Sequence, residues 1–167
     1  MTTKTDAQNP LFLTGPKRTR TPLEIRRDAA QATLEKFRDV PFEAGKTDCA
    51  QIVKFHLRQL GRPLKFGEPL NYKSMLQARA LLKRLGFASV GDALGSKFPE
   101  IVPAMALVGD IIELAAEEDE KARALGGLVI YLGNNAVFGF HETLPGGTVM
   151  RIGEPGYQPP LRAWRVL

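Results

Sequence analysis

The apolar residues of this 167-residue chain change their period once, near Pro103. Before that point they recur at three- and four-residue intervals, as the buried face of a helix does. After it they gather in short runs separated by turn residues, as strands do. Helices first and antiparallel strands second predict an α+β fold with N-terminal helices packed on a small antiparallel sheet or partly open barrel. The order excludes a parallel α/β fold, in which the two would alternate. Hydrophobic residues make up 44% and charged residues 25%, enough apolar surface to build one packed core.

In the first half, Thr21-Pro22-Leu23-Glu24 joins a capping box to a proline at the first helical position, so helix one begins there. Leu23, Ala30, Leu34 and Phe37 form its apolar stripe, and it ends before Pro41. Residues 41–48 are a loop into helix two, which runs from about Cys49 to Leu60. Thr47 or Asp48 is its N-cap, Gly61 its stop, and Ile52, Val53, Leu57 and Leu60 its core face. A loop from Arg62 to Leu70 precedes a third helix from about Tyr72 to Leu85, with Met75, Leu76, Leu81, Leu82 and Leu85 apolar. A short helix follows near Ser89 to Leu94.

In the second half, Asp110–Leu114 and Leu128–Leu132 read as strands, and Glu117–Glu120 as an acidic loop between them. Gly133-Asn134-Asn135 is a tight turn and Ala136–His141 the return strand. Pro145-Gly146-Gly147 turns into Thr148–Ile152, and Leu161–Val166 is the last strand.

Charge divides the chain differently. Residues 1–20 hold Lys4, Lys17, Arg18 and Arg20 against Asp6 alone, so they supply +3 of the net +5. They read as an extended basic arm, either solvated or ordered on a partner surface, with residues 21–167 as a single domain. The cluster Lys17-Arg18-Thr19-Arg20 has no interleaved aromatic residues, so a nucleic-acid partner is not expected. No stretch has the layout of a signal peptide or the length of a membrane span, and a lone thiol suits a reducing cytoplasm. One cysteine excludes an intramolecular disulfide and a Cys₂ or Cys₄ zinc site; no metal or cofactor is expected.

Cys49 stands in the first turn of helix two, where unpaired backbone N–H groups favour an anion and would stabilise a thiolate, with Lys46 nearby. Cysteine hydrolases place a nucleophile there. A small buried residue filling the helix–sheet interface is the other reading. Of the two histidines, His56 lies two turns along the same helix, roughly 10 Å away and beyond hydrogen-bond reach. His141, at the end of the return strand, is the candidate base if the hairpin packs on the start of helix two, with Glu142 or Asp110 to orient it.

Asp48-Cys49-Ala50, then Gly109-Asp110-Ile111-Ile112, then Gly127-Leu128-Val129-Ile130-Tyr131-Leu132-Gly133 resembles the NlpC-type cell-wall peptidases of the papain-like superfamily. The resemblance spans about residues 38–141. A branch of that superfamily carried by phages and prophages is closer still. It shares Pro41-Phe42 through Asp48-Cys49, and the Arg162-Ala163-Trp164-Arg165-Val166 ending. The resemblance implies a papain-like fold with the nucleophile's position at Cys49. It also implies that the family's catalytic histidine would stand at Gly127, and its third polar residue near Gly139. Neither position carries the needed side chain.

Two functions follow as expectations. One is a structural or assembly protein of a phage or prophage tail hub or tip, with a degenerate peptidase fold. It would be made in the host cytoplasm, carried in the virion tail, and joined to other tail proteins through the arm. The other is a cysteine hydrolase of peptidoglycan peptides, with Cys49 as nucleophile and His141 as displaced base. A third reading is a binding module, in which a papain-like cleft without its base still binds a peptide or glycan, and peptidoglycan is then an expected partner beside the tail proteins.

Overall fold

The computed structural model describes residues 18–66, 69–115, 127–141 and 144–167. Most of the basic arm, the acidic loop at 117–120 and Glu142 lie outside the described residues.

Helix α1 (Pro22–Phe37) starts as the sequence predicts. The Thr21 hydroxyl accepts from the Glu24 N–H, and the Glu24 carboxylate accepts from the Thr21 N–H. Its buried face differs from the expected stripe. Ala29, Ala30, Thr33 and Phe37 are buried together with Arg26, whereas Leu23 is exposed. The stripe is displaced because α1 offers the sheet a guanidinium at Arg26, which has a partner waiting for it.

Helix α2 (Cys49–Gln59) packs between α1 and the sheet. Ile52, Val53, Leu57 and Leu60 are all buried, as expected. Helix α3 (Met75–Arg84) begins three residues later than expected, because Ser74 caps it by accepting from the Gln77 N–H. Leu76 faces solvent, while Ala78, Leu81 and Leu82 are buried. Helix α4 (Val90–Gly95) is capped by Ser89.

The sheet has six strands: β1 (Glu100–Ile101), β2 (Ile111–Leu114), β3 (Gly127–Gly133), β4 (Ala136–Gly139), β5 (Thr148–Arg151) and β6 (Pro160–Trp164). Their order is β1-β6-β2-β3-β4-β5, every pair antiparallel, and the sheet is open. β6 is therefore an interior strand held on both sides and does not close a barrel. The two-residue β1 and the 3-10 turn Pro103–Met105 were not legible as elements, since neither is long enough to show a period. Asn134 and Asn135 both take positive φ, as a two-residue hairpin turn requires.

Side chains alternate across the sheet with a period of two. Ile111, Leu128, Ile130, Phe138 and Trp164 face the helices and complete the main core. Ile112, Val129, Val137, Met150 and Ala163 form a second cluster on the opposite face.

His56 is wholly buried in the main core. Its Nε2 lies 2.8 Å from the Gly109 carbonyl oxygen, which can only accept, so Nε2 carries the proton. Its Nδ1 lies 3.0 Å from the Thr33 hydroxyl. Burial pushes its pKa below the ordinary 6.5; the Gly109 and Ala29 carbonyls oppose that shift, Arg26 adds to it and Asp110 opposes it. Because the folded state refuses a proton that the unfolded chain accepts, stability is complete above pH about 6.5 and is lost as pH falls below it. The midpoint of thermal unfolding should drop on acidification through that range, and drop less in a His56→Gln variant. Parallel pH curves for the two proteins would contradict this.

Candidate functional site

The loop at 41–48 delivers Cys49 to the first position of α2. Gly45 makes its tight approach possible: φ is +82°, and a Cβ there would collide with the Tyr72 carbonyl. Asp48, wholly buried, caps the helix. Its carboxylate accepts from the Gly45 N–H at 2.7 Å, the Gln51 N–H at 2.9 Å, and the Tyr72 hydroxyl at 3.0 and 2.8 Å to its two oxygens. The Tyr72 hydroxyl is correspondingly held protonated, its pKa raised by burial and by the Asp48 charge.

Cys49 therefore starts a helix whose positive end is already occupied by a carboxylate. The residue is half-buried and packs against the main core. Its thiol is pushed up to about 12, first by burial and then by the neighbouring Asp48 charge; N–H groups of Cys49 and Leu128 only partly offset this. The helix start does not produce a thiolate, because desolvation and a like charge outweigh the dipole. Lys46 does not help, since its ammonium pairs with Glu43 at 2.5 Å in an exposed turn.

The return strand ends at Gly139 and not at His141, which lies two residues past its end. Its ring meets Tyr157 edge-on, with centroids 5.2 Å apart. Tyr157 packs on the cluster of the sheet face turned away from the helices, whereas Cys49 packs on the cluster turned toward them. The geometry thus associates the two expected site residues with opposite faces of the sheet. On the Cys49 side stands Phe140, which meets the exposed Phe42 edge-to-face at 5.6 Å.

Gly127 is not an open slot. A Cβ there would stand 3.3 Å from the Leu114 Cβ and 3.4 Å from the Leu114 carbonyl oxygen. Asp110, considered as an orienting group, is wholly buried elsewhere. It accepts from Arg26 Nη1 and Arg165 Nε, both at 2.8 Å, from the Leu107 N–H at 2.9 Å and from the Val166 N–H at 3.3 Å. Arg26 also donates to the Val108 and Leu167 carbonyl oxygens. One carboxylate thereby ties α1, β2 and the segment after β6 together. Sequence reading missed this network and the Tyr72–Asp48 contact. The signal for the first was an acid flanked by apolar residues at a strand start. The second had none. Among the described residues, no cluster of side chains is suited to hold a metal ion, and no helix is long and apolar enough to cross a membrane.

Residues 21–166 match the family model described as Domain of unknown function (DUF6950). No curated protein matches the sequence. Among solved structures, the fold is similar to an NlpC/P60 family protein from Bacillus cereus ATCC 10987, with a TM-score of 0.57 and 14% identity over 89% of this chain and 44% of that one. It is similar to RipD from Mycobacterium tuberculosis, described as a non-catalytic NlpC/p60 domain protein with an adaptation to peptidoglycan-binding function. There the TM-score is 0.53 and the identity 17%, over 85% of this chain and 98% of RipD. It is also similar to the peptidoglycan hydrolase RipB of the same organism, with a TM-score of 0.52 and 16% identity over 85% of this chain and 66% of RipB. The chain spans less than half the length of the Bacillus protein. At these identities the likeness is one of fold. That fold is the papain-like one of NlpC/P60 proteins, and it accommodates a hydrolase and a non-catalytic protein alike.

Proposed function

Because the chain belongs to the family described as Domain of unknown function (DUF6950) and carries the NlpC/P60 fold, we propose that it is a non-hydrolytic version of that fold, acting by docking and not by turnover. The observation that carries this reading is the setting of Cys49, packed against the main core beside the wholly buried Asp48 carboxylate, a place where burial and the neighbouring charge push a thiol up. Acyl transfer by cysteine needs a thiolate and a base to form it. The chain has two histidines; His56 is locked between Gly109 and Thr33, and His141 packs on Tyr157.

The ligand proposed for the Cys49 side of the fold is a peptidoglycan peptide, by analogy with RipD, with Phe42 and Phe140 as its apolar contacts. The proposed setting is the tail hub or tip of a phage or prophage particle, assembled in the host cytoplasm, with residues 1–20 lying across a neighbouring tail subunit. The arm's concentration of positive charge and the phage-type motifs around Cys49 and Trp164 support that setting.

Purified peptidoglycan should sediment with the protein and release no soluble fragments, and Cys49→Ala should bind as well as the parent. Fragment release that disappears in Cys49→Ala would overturn the proposal and return His141 to the role of base. Deleting residues 1–20 should abolish incorporation into particles; unchanged incorporation would remove the arm from the account.

A further inference from the structure

At the end of α2 far from Cys49, the chain forms a concavity of about 550 Å³. Its wall is made by the segment following α2 and the segment following α4, including Arg62, Leu64, Lys65, Lys97 and Phe98. Three of these residues are cationic and none of the lining is acidic. Among the described residues no carboxylate lies within ion-pair distance of Arg62, Lys65 or Lys97. The Arg62 guanidinium is carried over the buried Phe98 ring, 5.8 Å from its centroid.

Basic residues after helices often do no more than offset the negative C-terminal dipole. Magnitudes decide the matter here. Two helix ends contribute roughly half a negative charge each, against three full positive charges, leaving about +2 in the pocket. Carbonyls near both helix ends are engaged by backbone donors: the Arg62 N–H donates to Leu57, the Gly61 N–H to Arg58, and the Lys97 and Phe98 N–H groups to Leu94. The cations are therefore not consumed by capping. The volume lies within the range of small-ligand sites.

We propose that this pocket binds a doubly charged oxyanion, with Arg62 gripping two of its oxygens and Lys65 and Lys97 neutralising the remaining charge. Such a dianion has two sources, a phosphate monoester or a pair of neighbouring carboxylates on an acidic peptide. The site is independent of the Cys49 side and stands whether or not that side turns over substrate.

Titration of the full chain by NMR, with phenyl phosphate in one arm and a diglutamate peptide in the other, tests this. Amide signals of Gly61, Arg62, Leu64, Lys65, Lys97 and Phe98 should shift saturably with at least one probe, and the stronger probe identifies the source. Arg62→Gln and Lys97→Gln should each weaken binding roughly tenfold, as loss of one close charge near a protein surface implies. Arg151→Gln, a matched charge loss on β5 at the opposite sheet edge, should leave it unchanged. No saturable shift with either probe, or an equal loss in Arg151→Gln, would overturn the proposal.

Discussion

Replacing Asp110 with alanine should lower the unfolding free energy by about 3–5 kcal/mol, the cost of leaving a buried charge without its partner. Arg26 keeps its carbonyl contacts to Val108 and Leu167 in this variant, but its side chain, only 5% exposed, loses the countercharge 2.8 Å away. Two backbone donors, from Leu107 and Val166, lose their acceptor as well. With domain stabilities of about 5–15 kcal/mol, this is a large share of the total. In thermal unfolding it should appear as a drop of roughly 6–20 °C for a chain of this size. Arg165→Gln is the internal comparison. That guanidinium contacts the same carboxylate but is 30% exposed, so solvent already screens it and the loss should be about 1 kcal/mol or less. Equal losses in the two variants would mean that Asp110 is held by Arg165 and not by Arg26.

The helices and strands were legible in the sequence because their signals are local. Thr21-Pro22-Leu23-Glu24, the asparagine pair at the hairpin and the glycine after α2 each specify a backbone geometry within a few residues. The face that α1 buries was not legible. Leu23 looked like core, and only the arrival of Asp110, 84 residues along the chain, brings Arg26 to the buried face. The candidate site shows the same division. The position of Cys49 at a helix start followed from Asp48 as cap, but its protonation did not. A helix N-terminus argues for a thiolate; burial and the Asp48 charge argue against it, and both depend on contacts with β3 and Tyr72 that sequence spacing does not reveal. The placement of His141 likewise depends on which sheet face packs on the helices, a choice fixed by the whole sheet and not by one strand.

The state of Cys49 is also the quantity that most directly decides between docking and turnover. Raising a thiol from 9.0 to about 12 lowers the thiolate fraction at a given pH by about a thousandfold. Alkylation by iodoacetamide should slow by a similar factor relative to the unfolded chain, since the thiolate is the reacting species. Asp48→Asn keeps an acceptor for the Gln51 N–H while removing the neighbouring charge, so it should speed alkylation, though not to the rate of a free thiol, because burial is the larger cause. The decisive measurement is the rate of Cys49 alkylation in the native protein as a function of pH. The account predicts a slow rate that climbs without a plateau through pH 10. A rate that levels off near or below neutral pH would reveal an activated thiolate and contradict the claim that this fold does not hydrolyse its ligand.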